Sequence, residues 1–501
     1  MQTVLRLATA LLCLAGAVPA LAQSAEEKAD QEIRELQEPA PEAVELETTK
    51  PADTPSEVEW EDSSGGDEVE WEDSSGGDGV EWEDGAGGDD AVEWEDGAEG
   101  ADGGDSEEAG DTFGERFKGG DLFGYFDAQA RFFPQSAASP APGVPPLNDY
   151  WFNGSLAWEP GFSMNVTDNM NFELILFGRV DQHDRNRTHG DIREGFFELF
   201  FDEWTLGFGI HKVFWGVTES RHLVDIINQT DLVEDFDTDI KLGQAMVSTS
   251  YTNDKAGTFS LYVMSWARPL VFPSLQGRPT LPIPVDNDLR VYQSRMKQGQ
   301  IDTAFRWSHA MAGFDWGLSY FFGTAREPQL FAVTDATGVP IALRPVYELI
   351  HQGGLDVQYT VESWLLKAES IVRGGQGATF GAVTGGFEYT FYQASGSIVD
   401  IGLILEYNYD SRNNNTFILF ENDFFTGVRL SLSDVGSTEF LVGSFIDAKD
   451  GSVFIAAEAS RRFGESWKIL LEGRGYIPQA GNILRVFQND AQIQIDIEYH
   501  Y

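Results

Sequence analysis

The sequence predicts an all-β fold: a transmembrane antiparallel β-barrel of about 18 strands, preceded by a disordered acidic tail. Three observations carry that prediction. The chain ends in Ala491 to Tyr501, where Ile493, Ile495, Ile497, Tyr499 and Tyr501 alternate with Gln492, Gln494, Asp496, Glu498 and His500. That is the period of two of a strand with one apolar and one polar face. After the first 22 residues no apolar run approaches the roughly 20 residues a helical span needs, so insertion in lipid would require strands closed into a barrel. The connections between strand-like segments also alternate between long and short, as in outer-membrane barrels.

The first element is a signal peptide over residues 1–22. Arg6 precedes the apolar run Leu7 to Val18, and Ala20-Leu21-Ala22 stands before Gln23 as an A-x-A cleavage pattern. A retained transmembrane helix is the alternative, but the run is short for one. Cys13, the only cysteine, lies in this segment and follows Leu12, where a lipoprotein signal would want a small residue. The mature chain is therefore expected to hold no thiol, disulfide or cysteine-ligated metal.

Residues 23–111 hold 34 Asp and Glu against Lys28, Arg34 and Lys50, most of the chain's net charge of -49. They contain VEWED four times, at Val58, Val69, Val80 and Val92, separated by Gly, Ser and Asp. Low apolar content and high like charge cannot offset ordering entropy, so this region is read as disordered. One reading is a solvated spacer. Another is a multivalent linear motif, in which Trp60, Trp71, Trp82 and Trp94 bind a repeated or cationic periplasmic protein and gain from effective concentration. Carboxylates scattered among glycines form no recognisable metal-ligand loop.

Residues 112–501 are expected to form the barrel. Strand-like segments fall near 121–133, 149–159, 170–182, 191–202, 204–214, 242–253, 257–268, 300–309 and 313–325. The remaining nine fall near 349–360, 363–374, 380–392, 397–411, 424–433, 437–447, 452–463, 466–477 and 488–501. Short connections such as Asp202-Glu203, Val361-Glu362 and Gly464-Glu465 alternate with longer ones such as 134–148, 215–241, 269–299 and 326–348; 375–379 and 448–451 are exceptions. Tight turns belong to the periplasmic side and long loops to the exterior. An even strand count returns both termini to the periplasm.

Tryptophan provides a separate check, because it concentrates at membrane interfaces. Six of the nine outside the tail, Trp158, Trp204, Trp307, Trp316, Trp364 and Trp467, fall near the short connections. They are expected to form a periplasmic girdle. A soluble sandwich or propeller would not sort its tryptophans to one class of turn.

With the apolar face outward, the inner face is polar. Its basic members, read as lumen-lining, are Arg131, Arg179, Arg193, His211, Arg306, Lys367, Arg373, Arg429 and Arg474. Acidic members include Asp127, Glu173, Asp181, Glu369, Glu406 and Glu472. Eighteen strands enclose a lumen wide enough for water unless loops fill it. Two readings stay open: a basic strip that favours anionic solutes, or charges paired with one another to hold the wall together.

The most organised insertion follows the fifth strand. It runs Phe214-Trp215-Gly216-Val217-Thr218-Glu219 and then Asp225-Ile226-Ile227-Asn228-Gln229-Thr230-Asp231. This Trp-Gly turn and Asp-x-x-Asn segment resembles uncharacterised porin-like barrels related to the alginate-export superfamily. Arg306-Trp307-Ser308-His309, Gly385-Gly386-Phe387-Glu388-Tyr389-Thr390 and Phe420-Glu421-Asn422-Asp423-Phe424-Phe425 are similar to the same group. The resemblance covers the barrel and not the tail, and it implies an outer-membrane shell for solute passage. In such barrels a long loop folds inward, so 215–241 is expected to narrow the pore, with Trp215, Asp225, Asn228 and Asp231 as its organising residues. A surface loop packed on its neighbours is the alternative.

Enzymatic chemistry is not expected. There is no GxSxG elbow, HExxH helix or Walker loop, and Ser308-His309 would point to opposite faces of a strand. The string Asp235-Phe236-Asp237-Thr238-Asp239 lacks the glycine of an EF-type loop, Ile240 standing there instead. No metal, cofactor or nucleic-acid partner is expected. The sequence thus implies an outer-membrane porin-like channel, in contact with lipid, for small-molecule or oligosaccharide solutes, anionic ones included. The alternative is a non-conducting barrel or exporter shell that docks a periplasmic partner through its tail.

Overall fold

Alternating side chains dictate strands, and the computed structural model, which describes residues 119–139, 145–236, 239–412 and 419–501, pairs them into one closed barrel. The first nine strands are β1 (Asp121–Phe132), β2 (Phe152–Thr167), β3 (Met170–Asp181), β4 (His189–Phe201), β5 (Trp204–His211), β6 (Gln244–Asn253), β7 (Gly257–Met264), β8 (Asp302–Met311) and β9 (Phe314–Thr324). The second nine are β10 (Leu349–Val361), β11 (Trp364–Gly375), β12 (Gly377–Phe391), β13 (Val399–Asp410), β14 (Asn422–Leu432), β15 (Glu439–Asp447), β16 (Val453–Phe463), β17 (Trp467–Ile477) and β18 (Gln492–His500). Each pairs antiparallel with its sequence neighbours, and β18 closes on β1 with Asp127 opposite Glu498 and Arg131 opposite Gln494. Closure leaves no unpaired edge, the condition for crossing lipid on strands.

The register places one face of every strand outward. Phe126, Leu156, Val180, Phe208, Val247 and Leu261 are exposed on it, while Asp127, Ser155, Arg179 and Asp181, at the alternate positions of β1 to β3, are buried. Apolar residues exposed around a whole barrel, with polar ones inside, form a lipid-facing belt. All six girdle tryptophans lie on the outward face toward the turn end: Trp158 stacks on Phe126 and donates its indole N–H to the Tyr501 hydroxyl at 3.0 Å, and Trp467 packs on Tyr499. Trp151 and Trp266 are exposed near the opposite end.

Connections at one end are short, among them Asp168-Asn169, Asp202-Glu203 and Glu362-Ser363. Longer ones at the other end include 133–151, 212–243, 265–301 and 325–348, where Gln329–Thr334, Pro340–Tyr347 and Val291–Tyr292 form a separate three-stranded sheet. Beginning at Asp121 and finishing beside Tyr501, the barrel has both of its ends among the short turns.

Several boundaries differ from expectation: β5 stops at His211 instead of 214 and β7 at Met264 instead of 268. β2 runs on to Thr167 instead of stopping at 159. Pro160, which has no N–H to give the β3 side, breaks the sequence pattern without ending the strand, and pairing with β3 resumes at Gly161 opposite Ile175. β12 begins at Gly377, leaving Gln376 as the whole connection to β11. β18 begins at Gln492, because Ile483–Phe487 forms a 3-10 turn that buries Leu484 and Phe487.

Candidate functional site

The segment after His211 does not stay at the rim. Trp215, Leu223, Val224, Ile226 and Ile227 form one buried cluster with Met246, Met264, Phe321, Ile350, Ile371 and Phe380. Those partners are inward residues of β6, β7, β9, β10, β11 and β12. A loop touching the inner face of that many strands lies inside the barrel. Its apolar run is what the wall's apolar patch requires for burial.

Asn228 clamps the base of this loop. Its Oδ1 accepts the Val213 N–H at 2.8 Å, and its Nδ2 donates to the carbonyls of His211 at 2.8 Å and Leu242 at 2.9 Å. Asp225 accepts the Trp215 N–H at 3.4 Å and pairs with Lys241 at 3.0 Å. Burial pushes the Asp225 carboxyl up, against the opposing pull of the Lys241 ammonium.

Two buried wall carboxylates hold the loop by its backbone. Glu369 on β11 accepts the N–H groups of Val217 at 2.7 Å, Thr218 at 3.1 Å and Val224 at 3.1 Å, together with the Thr218 hydroxyl at 2.8 Å. Glu406 on β13 accepts from the N–H groups of Glu219 at 2.9 Å and Ser220 at 2.8 Å, and from the Ser220 hydroxyl at 2.6 Å. Both glutamates are only 1% exposed. Hydrogen bonds to a charged acceptor in such a setting are roughly twice as strong as neutral ones. Sequence reasoning placed both residues on the inner face and missed that they grip the loop, a contact spanning up to 187 residues of chain.

The loop's return limb reaches the other wall. Arg179 binds Asp127 at 3.0 Å and Glu234 at 2.7 Å, Arg193 binds Asp231 at 2.7 Å, and Arg131 donates to Gln494 at 2.6 Å and to the Glu234 carbonyl at 3.0 Å. Arg474 binds Asp235 and lies 3.6 Å from Glu472. Burial alone would raise Asp231, but His189 and Arg193 beside it hold its carboxyl below the usual range.

The remaining basic candidates are also engaged. His211 meets Glu194 at 2.8 Å and stacks on Phe196, while Arg306 makes a two-pronged bond to Asp356 at 2.7 Å per prong and lies over the Trp215 ring. Lys367 and Arg429 share Glu219 at 3.6 and 2.7 Å, and Arg373 donates to Gln352 at 2.7 Å and Glu327 at 3.3 Å. Among the described residues no set of carboxylates and histidines is arranged to hold a metal. Asp237, Thr238 and the four VEWED tryptophans lie outside the described residues.

The loop does not cover the wall evenly. Glu458 on β16 and Glu173 on β3 face inward by register yet are exposed, in contrast to Glu369 and Glu406. A small polar cleft is lined by Arg131, Tyr150, Asp184, Arg187, Arg278 and Arg474, among others.

No family model and no curated protein matches the chain. Among solved structures, it is similar to OmpF of Salmonella typhi in complex with daunomycin, at 10% identity over 76% of this chain and 97% of that one, with a TM-score of 0.39. OpdK of Pseudomonas aeruginosa with vanillate gives 11% identity over 76% and 98%, TM-score 0.43. Wzi of Escherichia coli, described as a carbohydrate-binding β-barrel involved in group 1 capsule assembly, gives 9% over 74% and 83%, TM-score 0.43. The strand pairing, lipid-facing belt, aromatic girdle and polar interior of the chain itself make it a closed, membrane-spanning antiparallel β-barrel.

Proposed function

We propose that the protein is a passive channel for polar solutes, narrowed by loop 212–243, which is tied to the wall on both of its limbs. The exposure of inward Glu458, three strands along the wall from the buried Glu406, is the observation that carries this reading. Water reaches one part of the inner wall and is excluded from the other. Small molecules or extended oligosaccharides fit a passage bounded by a polar wall and a fixed loop. The turn end is taken as periplasmic, which places Asp121 and Tyr501 there. The likeness to alginate-export barrels rests on the Trp215-Gly216 and Asp225-to-Asn228 segments, both of which serve the inserted loop.

Planar-bilayer conductance tests the proposal, on the full chain and on a variant lacking residues 23–111. Discrete conductance steps from both are expected. Silence in both would sink the channel reading and favour a closed shell awaiting a periplasmic partner, a reading supported by the return limb that ties the loop to the opposite wall.

A further inference from the structure

We infer that the passage favours small cations over anions, a preference that rests on the channel reading above and specifies its solute class. The inference comes from how inward charges are partnered. Arg179, Arg193, Arg306, Lys367, Arg373, Arg429 and Arg474 each face a carboxylate within 4 Å, and Arg131 is turned to an amide and a carbonyl. Much of that neutralisation comes from the loop itself, through Glu219, Asp231, Glu234 and Asp235. The arginines that would attract anions are therefore spent on holding the loop.

Carboxylates are left over. Glu159 on β2, Glu173 on β3, Glu198 on β4 and Glu458 on β16 lie on the inner face by register, opposite Tyr125, Ser163, Gly207 and Leu441. None of the four carboxylates has a hydrogen bond or ion pair among the described residues, and none of the residues is buried. A second observation points the same way. Glu458 sits directly across from Glu472, which shares Arg474 with Asp235. Like charges directly opposite on neighbouring strands destabilise a sheet, and the one Arg474 beside this pair is shared with Asp235, so the pair keeps an excess of negative charge. Lys468, across from Glu498 at the turn end, and Arg131 are inward cations without an ion pair among the described residues; against them, inward and exposed Glu439 joins the four glutamates above.

Unpartnered carboxylates on a confined wall focus a negative potential and raise the local concentration of cations. The effect is screened over about 10 Å at 0.1 M salt, so it is strongest in dilute electrolyte.

The test is the reversal potential of the full-length protein in a planar bilayer under a KCl gradient with the dilute side at or below about 0.1 M. A potential of cation-selective sign is expected. The variant Glu159→Gln/Glu173→Gln/Glu198→Gln/Glu458→Gln should bring the K⁺ to Cl⁻ permeability ratio to near one, and Glu458→Gln alone should lower it partway. Heat-modifiable gel migration verifies that each variant is a folded barrel; if the fourfold variant is not, the single one decides. Conductance with a chloride-selective potential, or a ratio unmoved by the substitutions, would overturn the cation preference while leaving the channel intact. Absence of any conductance would overturn the channel reading and this inference with it.

Discussion

The Glu369 carboxylate receives the Val217 N–H at 2.7 Å, a bond between a buried wall residue and the backbone of a loop that begins six strands earlier. Glu369→Gln keeps one acceptor oxygen but presents an amide donor to N–H groups that need acceptors. Losing hydrogen bonds to a buried charge costs roughly 2 kcal/mol. The loop should open more often, and amide exchange at Val217, Thr218 and Val224 should quicken about 30-fold, with a larger mean conductance. Unchanged exchange would show that apolar packing alone holds the loop.

Asn228 makes three bonds at the loop base. Asn228→Ala strands the Val213 N–H and the carbonyls of His211 and Leu242 in a buried place, at a cost of about 1–3 kcal/mol for an unsatisfied group. Protease sensitivity of 213–236 should rise while the barrel keeps its heat-modifiable migration. Asn228→Asp retains the acceptor for Val213 but sets a carboxylate oxygen against the carbonyls of His211 and Leu242, and should loosen the loop at least as much as the alanine.

Arg306 and Asp356 form a two-pronged, largely buried pair. Removing one partner leaves an uncompensated charge, typically a loss of about 3–5 kcal/mol. Arg306→Ala should lower the barrel's unfolding temperature markedly, and Arg306→Ala/Asp356→Ala should recover part of it. A double variant no better than the single one would mean that the contact of Arg306 with Trp215 matters more than the charge.

His222 on the loop is faced by Glu369 from β11 at 3.8 Å, by Asp239 at 3.8 Å, and by Asp225, with Phe214 edge-on. Burial pulls its imidazole down, but these carboxylates outweigh burial and raise its pKa above the usual histidine value. A raised folded-state value gives a contribution fully present below the ordinary value of about 6.5 and lost as pH climbs through the raised one. Loop attachment should therefore weaken with rising pH in that window, read as faster exchange at Val224 after correction for intrinsic rates. His222→Gln should flatten the dependence.

Strands were legible because lipid and a polar lumen impose a period of two on every one of them, from Asp127-Gln129-Arg131 on β1 to Gln494-Asp496-Glu498 on β18. Legibility failed where the backbone rule is broken locally, as at Pro160, and at 488–491, which follow the 3-10 turn Ile483–Phe487 and stay outside the last strand. Inward direction of the basic residues could be read from alternation. Their partners could not, since Arg179 meets Glu234 and Arg429 meets Glu219 across 55 and 210 positions, through a loop whose path depends on tertiary packing.

The way Glu369 and Glu406 hold the loop bears on how the passage can change through evolution. Six of their seven bonds go to main-chain N–H groups or to the hydroxyl of Thr218, and the seventh to that of Ser220. Anchorage that reads backbone is largely indifferent to the side chain at Val217. Substitutions there could alter what the opening admits while its position stays fixed, separating the choice of solute from the stability of the shell.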